Sequence, residues 1–155
     1  MKKIKHGNTT KILLLGGETL FNQGEEGNSA YMIIHGVMDV LVDGKKISSM
    51  RDGEVFGEMA LILDQKRSAT IVSNQSTELI SISKENLNEI IASSSANVKK
   101  IIIELCDELS KRSDFQNVPY THEDIDTALT NENQIITKLT KQILHRLERS
   151  TNHVE

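Results

Sequence analysis

Two neighbouring stretches decide how this sequence folds: FGEMALI at residues 56–62 and RSATI at residues 67–71. Gly57 allows the backbone to approach a ligand closely. A short helical turn directly after it would direct several free N–H groups at one point, which favours an anion. A bent connector would return the guanidinium of Arg67 to that point, and its forked donors match phosphate oxygens. The two stretches therefore predict an anion site.

The carboxylate between these groups adds a second type of contact. Glu58 would repel a phosphate, but it can accept hydrogen bonds from a sugar hydroxyl. A cluster of N–H groups, one arginine and one carboxylate together describe a site for a ribose phosphate.

Glycine and proline usage changes near the middle of the chain. All nine glycines lie between Gly7 and Gly57, and the only proline is Pro119. The first part therefore predicts short strands joined by turns, with Asp43-Gly44 as a two-residue type I′ hairpin turn. The clearest strand patterns cover residues 11–15, 19–21, 30–35, 37–42, 69–73 and 77–83. Eight or so strands at this spacing predict an eight-stranded antiparallel β-barrel or jelly roll over about residues 11–83.

The second part predicts helices. Ser83 can cap a first helix, and a second helix is expected over about 95–112, so that two closing helices occupy about 84–112. Pro119 predicts a break, and we expect a linker over 113–120. A C-terminal amphipathic helix is expected over 121–149. Its apolar stripe consists of Ile125, Leu129, Ile136, Leu139, Ile143 and Leu147. Such a stripe packs on its own domain more often than on a partner.

These motifs resemble those of a known family. FGEMAL followed by RSAT is similar to the phosphate-binding cassette of cyclic nucleotide-binding domains, which occur in bacterial catabolite activators and in regulatory subunits of cyclic-AMP-dependent kinase. LFNQGEEG at 20–27 and YMIIHG at 31–36 resemble the first signature of that family. The resemblance covers roughly residues 11–112. It implies one domain over 1–112, with an eight-stranded barrel and two closing helices.

The resemblance also implies a set of residues that contact the ligand. They are Gly57, Glu58, Met59, Ala60, Arg67 and Ser68. By this likeness Arg67 pairs with the exocyclic phosphate, with N–H groups near Ala60 and Ser68 beside it. Glu58 and the backbone of Gly57 hold the ribose 2′-hydroxyl. Bacterial activators resemble this sequence in the serine at 68, so cAMP is favoured over cGMP and both stay open.

Composition excludes several other functions. The net charge of −4 argues against a general nucleic-acid binder, and no apolar run approaches the length of a membrane span. The single cysteine, Cys106, cannot form an intrachain disulfide, and the five histidines lack metal-ligand spacing. No nucleophile elbow or P-loop occurs. We therefore expect a cytoplasmic protein that is not an enzyme and that has neither a metal nor another cofactor.

Two functional hypotheses follow. The first is a cyclic nucleotide receptor whose helices change position when the ligand binds, so that an effector protein, not identified by the sequence, responds. One residue of the second closing helix is expected to cover the base, and the candidates are Ile102, Leu105, Cys106 and Leu109. The alternative is a nucleotide-free barrel that binds a partner protein through its C-terminal helix. A homodimer through 95–112 or 121–149 is compatible with either hypothesis.

A DNA-binding regulator is a poor match. Residues 114–155 contain four Lys or Arg against seven Asp or Glu, and they number too few for a helix-turn-helix domain with its recognition helix. We therefore expect no DNA partner.

Overall fold

The computed structural model describes residues 1–6, 9–110 and 120–152. Contacts divide the chain into two compact units, Met1–Leu87 and Asn88–Glu155. The first unit contains the β-sheets and the second is helical.

The first unit is an antiparallel jelly roll of two sheets. Its described strands are β1 (Lys2–His6), β2 (Thr9–Leu14), β3 (Thr19–Phe21), β4 (Ser29–His35), β5 (Val37–Val42), β6 (Lys45–Arg51), β7 (Val55–Phe56), β8 (Thr70–Ser73) and β9 (Thr77–Ser83). One sheet has the order β1-β2-β9-β4-β7 and the other β3-β8-β5-β6. The predicted fold class, an antiparallel jelly roll followed by helices, is confirmed.

The strand count differs from the predicted eight because the described residues contain nine strands. The unpredicted strand is β1, which pairs with β2 at the edge of its sheet. Its lysines give no apolar alternation to recognise, and lysine is common on edge strands because it discourages pairing with a further strand.

The hairpin between β5 and β6 has the predicted turn. Asp43 and Gly44 both have positive φ angles, 53° and 80°, as a type I′ turn requires. Val42 pairs with Lys45 directly across it.

The strands bury alternate apolar side chains between the sheets. These side chains form one core cluster: Ile12, Leu14, Phe21, Ile33, Met38, Met50, Phe56, Ala69, Ile71 and Leu79. Alternation places one face of each strand in this core. Phe21 and Phe56 bring aromatic rings to the part of the core beside the candidate site.

Five helices lie in the described residues. They are α1 (Glu58–Ile62), α2 (Lys84–Ser93), α3 (Ala96–Ser110), α4 (His122–Ala128) and α5 (Gln134–Asn152). Ser83 caps α2 as predicted, since its Oγ accepts a hydrogen bond from Asn86 N at 3.1 Å. The last two residues of the predicted closing-helix region, 111–112, lie outside the described residues. So does the predicted linker over 113–120, apart from its last residue, Tyr120.

The prediction of one continuous helix over 121–149 is wrong, because α4 and α5 are separate helices. Asn131 between them has a left-handed φ of 66°, which a helix cannot accommodate. Asn133 then starts α5, since its Oδ1 accepts a hydrogen bond from Ile135 N at 2.7 Å. Thr121 begins α4 with the expected capping box, in which its side chain and that of Asp124 each bond the other's backbone N–H.

The apolar stripe of α5 is buried within the chain. Ile136, Leu139, Ile143 and Leu147 are fully buried, and α5 packs against α3. This matches the expectation that the stripe packs on its own chain, and it leaves that face unavailable to a partner. In the parts of the chain that the structure describes, no helix combines the length and apolarity needed to cross a membrane.

Candidate functional site

The first stretch forms a tight turn between a strand and a short helix. β7 ends at Phe56, and Gly57 has a φ of 80° at the N-terminal end of α1. A side chain at this position would be strained, so glycine is required there. The predicted helical turn is confirmed as α1, and it ends at Ile62, where the N–H of the C-cap residue Leu63 donates to Met59 O at 3.1 Å.

Arg67 returns to this turn as predicted. Its Nη1 donates to Gly57 O at 2.8 Å and its Nη2 donates to Ser29 O at 2.6 Å. The residue is only 5% exposed. The guanidinium therefore connects the first stretch to the start of β4 from inside the unit.

One donor of this guanidinium has no partner in the described part of the chain. Arg67 Nε is buried and reaches no hydrogen-bond acceptor there. A buried donor without an acceptor is costly, and structures rarely contain one without a reason. An added anion would supply the acceptor that Nε lacks.

The backbone of Arg67 is equally fixed. Its N–H donates to Glu25 O at 2.8 Å, and its carbonyl accepts from Gly24 N at 2.8 Å. Next to these bonds, Gln23 N donates to the side-chain oxygen Thr70 Oγ1 at 2.9 Å. Gly24 and Glu25 are thus paired with the backbone of Arg67.

Two aromatic rings and two glycines surround the guanidinium. Arg67 Cζ lies 4.0 Å from the ring centroid of Phe21 and 5.9 Å from that of Tyr31. A Cβ added to Gly27 would lie 2.6 Å from Arg67 Cζ, and one added to Gly57 would lie 2.8 Å from Nη1. We call this enclosure the arginine slot. Its members are Phe21, Gly27, Ser29, Tyr31 and Gly57.

Burial and charge act in opposite directions on this cation. Burial lowers the pKa of Arg67 below its usual value, and electrostatic interactions with Tyr31, Glu58 and Glu25 offset only part of that decrease. Glu58 is fully buried. A cation in a medium of low dielectric attracts an anion more strongly than one in water.

The six predicted contact residues differ in placement. Gly57 and Arg67 are hydrogen-bonded to each other, and Glu58 is close enough to affect the pKa of that arginine. Ala60 is buried, Met59 is half-buried, and Ser68 is exposed. Their contacts with a ligand stay predictions.

The walls of the arginine slot were not predicted. The segments that contain Phe21, Gly27 and Tyr31 resemble a family signature, but no role followed for these residues from the sequence. The available signal was Gly27 between the aromatic residues Phe21 and Tyr31, 36 to 46 positions before the arginine.

A family model described as the cyclic nucleotide-binding domain matches residues 12–94, which is more than half of the chain. The chain belongs to this family. The match includes both stretches, the arginine slot and the start of α2, so it covers every residue of the candidate site.

Several solved structures whose descriptions name a bound nucleotide resemble this one. The EAL enzyme Bd1971 in its cAMP-bound form is 27% identical with a TM-score of 0.59, over 64% of this chain and 28% of that one. PKAR CBD2 bound to Sp-2Cl-cAMPS is 26% identical with a TM-score of 0.51, over 63% of this chain and 72% of that one. The cGMP-bound form of Bd1971 is 24% identical with a TM-score of 0.60, over 90% of this chain and 34% of that one, which shows the fold alone. This chain therefore spans about a third or less of the enzyme's length.

Proposed function

We propose that this chain is a receptor module for a cyclic nucleotide, with cAMP preferred over cGMP, and that it regulates an effector protein. The observation that supports this function is the buried Arg67 beside Gly57, whose Nε has no acceptor in the described part of the chain. Its role is binding and regulation rather than catalysis.

The proposed contacts combine charge with geometry. Arg67 would donate to the exocyclic phosphate oxygens, and backbone N–H groups near Ala60 and Ser68 would complete the anion site. Glu58 and the backbone of Gly57 would hold the ribose 2′-hydroxyl. Met59 would add packing. Because Nη1 and Nη2 of Arg67 are held by the carbonyls of Gly57 and Ser29, little side-chain ordering remains to be done on binding.

The preference for cAMP has two supports. PKAR CBD2, at 26% identity, is by its description bound to Sp-2Cl-cAMPS, whereas Bd1971 is described with cAMP and with cGMP and favours neither. Ser68 also follows the arginine, as in the bacterial activators that this sequence resembles.

The first helix after the sheets offers a route for the response. Lys84 N, at the start of α2, donates to Asn28 O at 2.9 Å. Lys84 Nζ lies 3.5 Å from Asp64 Oδ1, just after α1. A ligand that shifts α1 or the segment at 24–28 would therefore shift the beginning of α2. For the ligand to change the position of this helix, it must bind more tightly to the protein with the helix in one position than in the other. Helix positions that are identical with and without nucleotide would contradict this step.

A calorimetric titration of ligand-free protein with cAMP and with cGMP tests the proposal. A charged hydrogen bond contributes about 1.5–3 kcal/mol, so Arg67→Ala is expected to weaken cAMP binding at least about tenfold. Arg51→Ala is the matched control, because Arg51 is exposed on β6. It should bind as the wild type does. Circular dichroism of each variant establishes that it is folded.

Two results would refute this function: a wild type that binds neither nucleotide, or an Arg67→Ala variant of unchanged affinity. The first would favour the alternative, a nucleotide-free barrel that binds a partner protein. The buried stripe of α5 already weighs against docking through that helix, so a partner would need another surface. A homodimer through 95–112 or 121–149, a cytoplasmic location and the absence of a metal or cofactor stay predictions.

A further inference from the structure

Three aromatic rings cluster beside the candidate site, but they do not all face the arginine. Phe21 and Tyr31 lie 6.0 Å apart, Phe21 and Phe56 lie 6.3 Å apart, and Tyr31 stacks on Phe56 at 5.4 Å, all between ring centroids. Within the described residues, only the rings of Phe21 and Tyr31 lie against the Arg67 guanidinium, at 4.0 Å and 5.9 Å. Phe56 therefore shares the aromatic packing but not the contact with the cation.

The ring of Phe21 meets the conditions for a strong cation–π contact. Arg67 is only 5% exposed and Phe21 only 9%, so water competes little for the guanidinium. Such contacts are strongest when the cation is desolvated and lies within about 6 Å of the ring centroid. Leucine could fill much of the same volume, but it has no π-system to attract a cation.

We infer that Phe21 is a positioning residue for Arg67. Its ring keeps the guanidinium in the arginine slot, with Nη1 and Nη2 on Gly57 O and Ser29 O. An arginine side chain has many rotamers, and fixing them before the ligand binds removes an ordering cost from binding. The inference rests on the proposed function, because the phosphate of a cyclic nucleotide is the group that benefits.

Gly27 and Tyr31 complete the restraint. The space for a Cβ at Gly27 is already taken by the guanidinium, which lies 2.6 Å from that position. The ring of Tyr31 extends the aromatic surface beside Phe21. When the ring at position 21 is lost, the guanidinium loses its nearest aromatic neighbour and can leave this position.

The first test compares two substitutions by cAMP titration. Phe21→Leu should weaken cAMP binding about tenfold, since the contact involves a desolvated cation. Phe56→Leu is the matched control: Phe56 is also buried and belongs to the same aromatic cluster. It should stay within about threefold of the wild type. Chemical denaturation of both variants reports the packing that each one loses. Equal weakening of binding by the two substitutions would overturn the inference, and so would unchanged binding by Phe21→Leu.

The second test needs no ligand. In the wild type, the NMR resonance of the Arg67 Nε proton should be shifted upfield by the ring current of Phe21. Phe21→Leu should remove this shift and Phe56→Leu should keep it. Exchange of the same proton with water then separates positioning from mere loss of the ring: it should be faster in Phe21→Leu, because the guanidinium leaves the slot, and unchanged in Phe56→Leu, and equal exchange in the two variants would overturn the inference. A wild-type protein without the upfield shift would overturn the inference, even if Phe21→Leu did not fold.

The two failures are distinguishable. If the wild type shows the shift but binds no cyclic nucleotide, the proposed function fails and Phe21 keeps only its contact with Arg67. If the wild type binds cAMP and the shift is absent, the receptor stands and the positioning role of Phe21 fails.

Discussion

Gly27→Ala is the substitution that tests the arginine slot most directly. The new Cβ would lie 2.6 Å from Arg67 Cζ and Nε, about 0.8 Å short of the 3.4 Å at which ordinary contact begins. The guanidinium would have to retreat by about that distance, and its bonds to Gly57 O and Ser29 O, at 2.8 Å and 2.6 Å, would lengthen beyond good geometry. Loss of one or both charged hydrogen bonds predicts a free energy of unfolding lower by about 2–4 kcal/mol.

Chemical denaturation measures this loss, and two comparisons isolate its cause. Gly16→Ala is the matched control, because neither glycine has a left-handed φ and the nearest atom to a Cβ at Gly16 lies at 3.4 Å. It should change stability by less than about 1 kcal/mol. In an Arg67→Ala background, Gly27→Ala should cost almost nothing, because the clashing side chain is gone. An unchanged unfolding midpoint for Gly27→Ala, or an equal cost in both backgrounds, would refute the reasoning.

The remaining predictions concern turns and helix ends. Gly44→Ala should lower the free energy of unfolding by about 1–2 kcal/mol, because Gly44 has a φ of 80° with no atom near its Cβ position, so the cost is backbone strain alone; denaturation with urea measures it, and an unaltered midpoint would contradict it. Asp124 should stabilise α4 at pH values above about 3.9, the pKa of aspartate in the unfolded chain. The reason is that a hydrogen bond from the backbone N–H of Thr121 lowers the pKa of Asp124 in the folded protein. That contribution should disappear as the pH falls through the folded pKa; Asp124→Asn should abolish this part of the pH dependence, and an identical pH profile for variant and wild type would count against it.

Local turn chemistry made much of the fold predictable. β5 and β9 have the predicted bounds, and the turn at Asp43-Gly44 has the predicted conformation, because alternation and a two-residue turn depend only on neighbouring residues. α1 after Gly57 followed from the same kind of local signal. The division between α4 and α5 did not, because Leu129 and Ile136 keep helical spacing across the break and only the asparagines mark it.

The site was predictable in its residues but not in its enclosure. The motif placed Arg67 beside Gly57, and the hydrogen bond between them confirms that placement. Phe21 reaches the arginine from 46 positions earlier, through the pairing of β3 with β8. Periodicity along one segment cannot predict such a contact. The complete burial of Glu58 was likewise not predicted from the sequence.

The junction between β9 and α2 has a mechanical consequence. Ser83 is the last residue of the strand and the cap of the helix, so no spacer residue separates the two elements. β9 is hydrogen-bonded along both edges, to β2 and to β4, so it is an interior strand of its sheet. The first turn of α2 therefore continues directly from the end of β9. The first amide of that helix bonds Asn28 O, so the start of α2 and the arginine slot share the segment of backbone at residues 27–29.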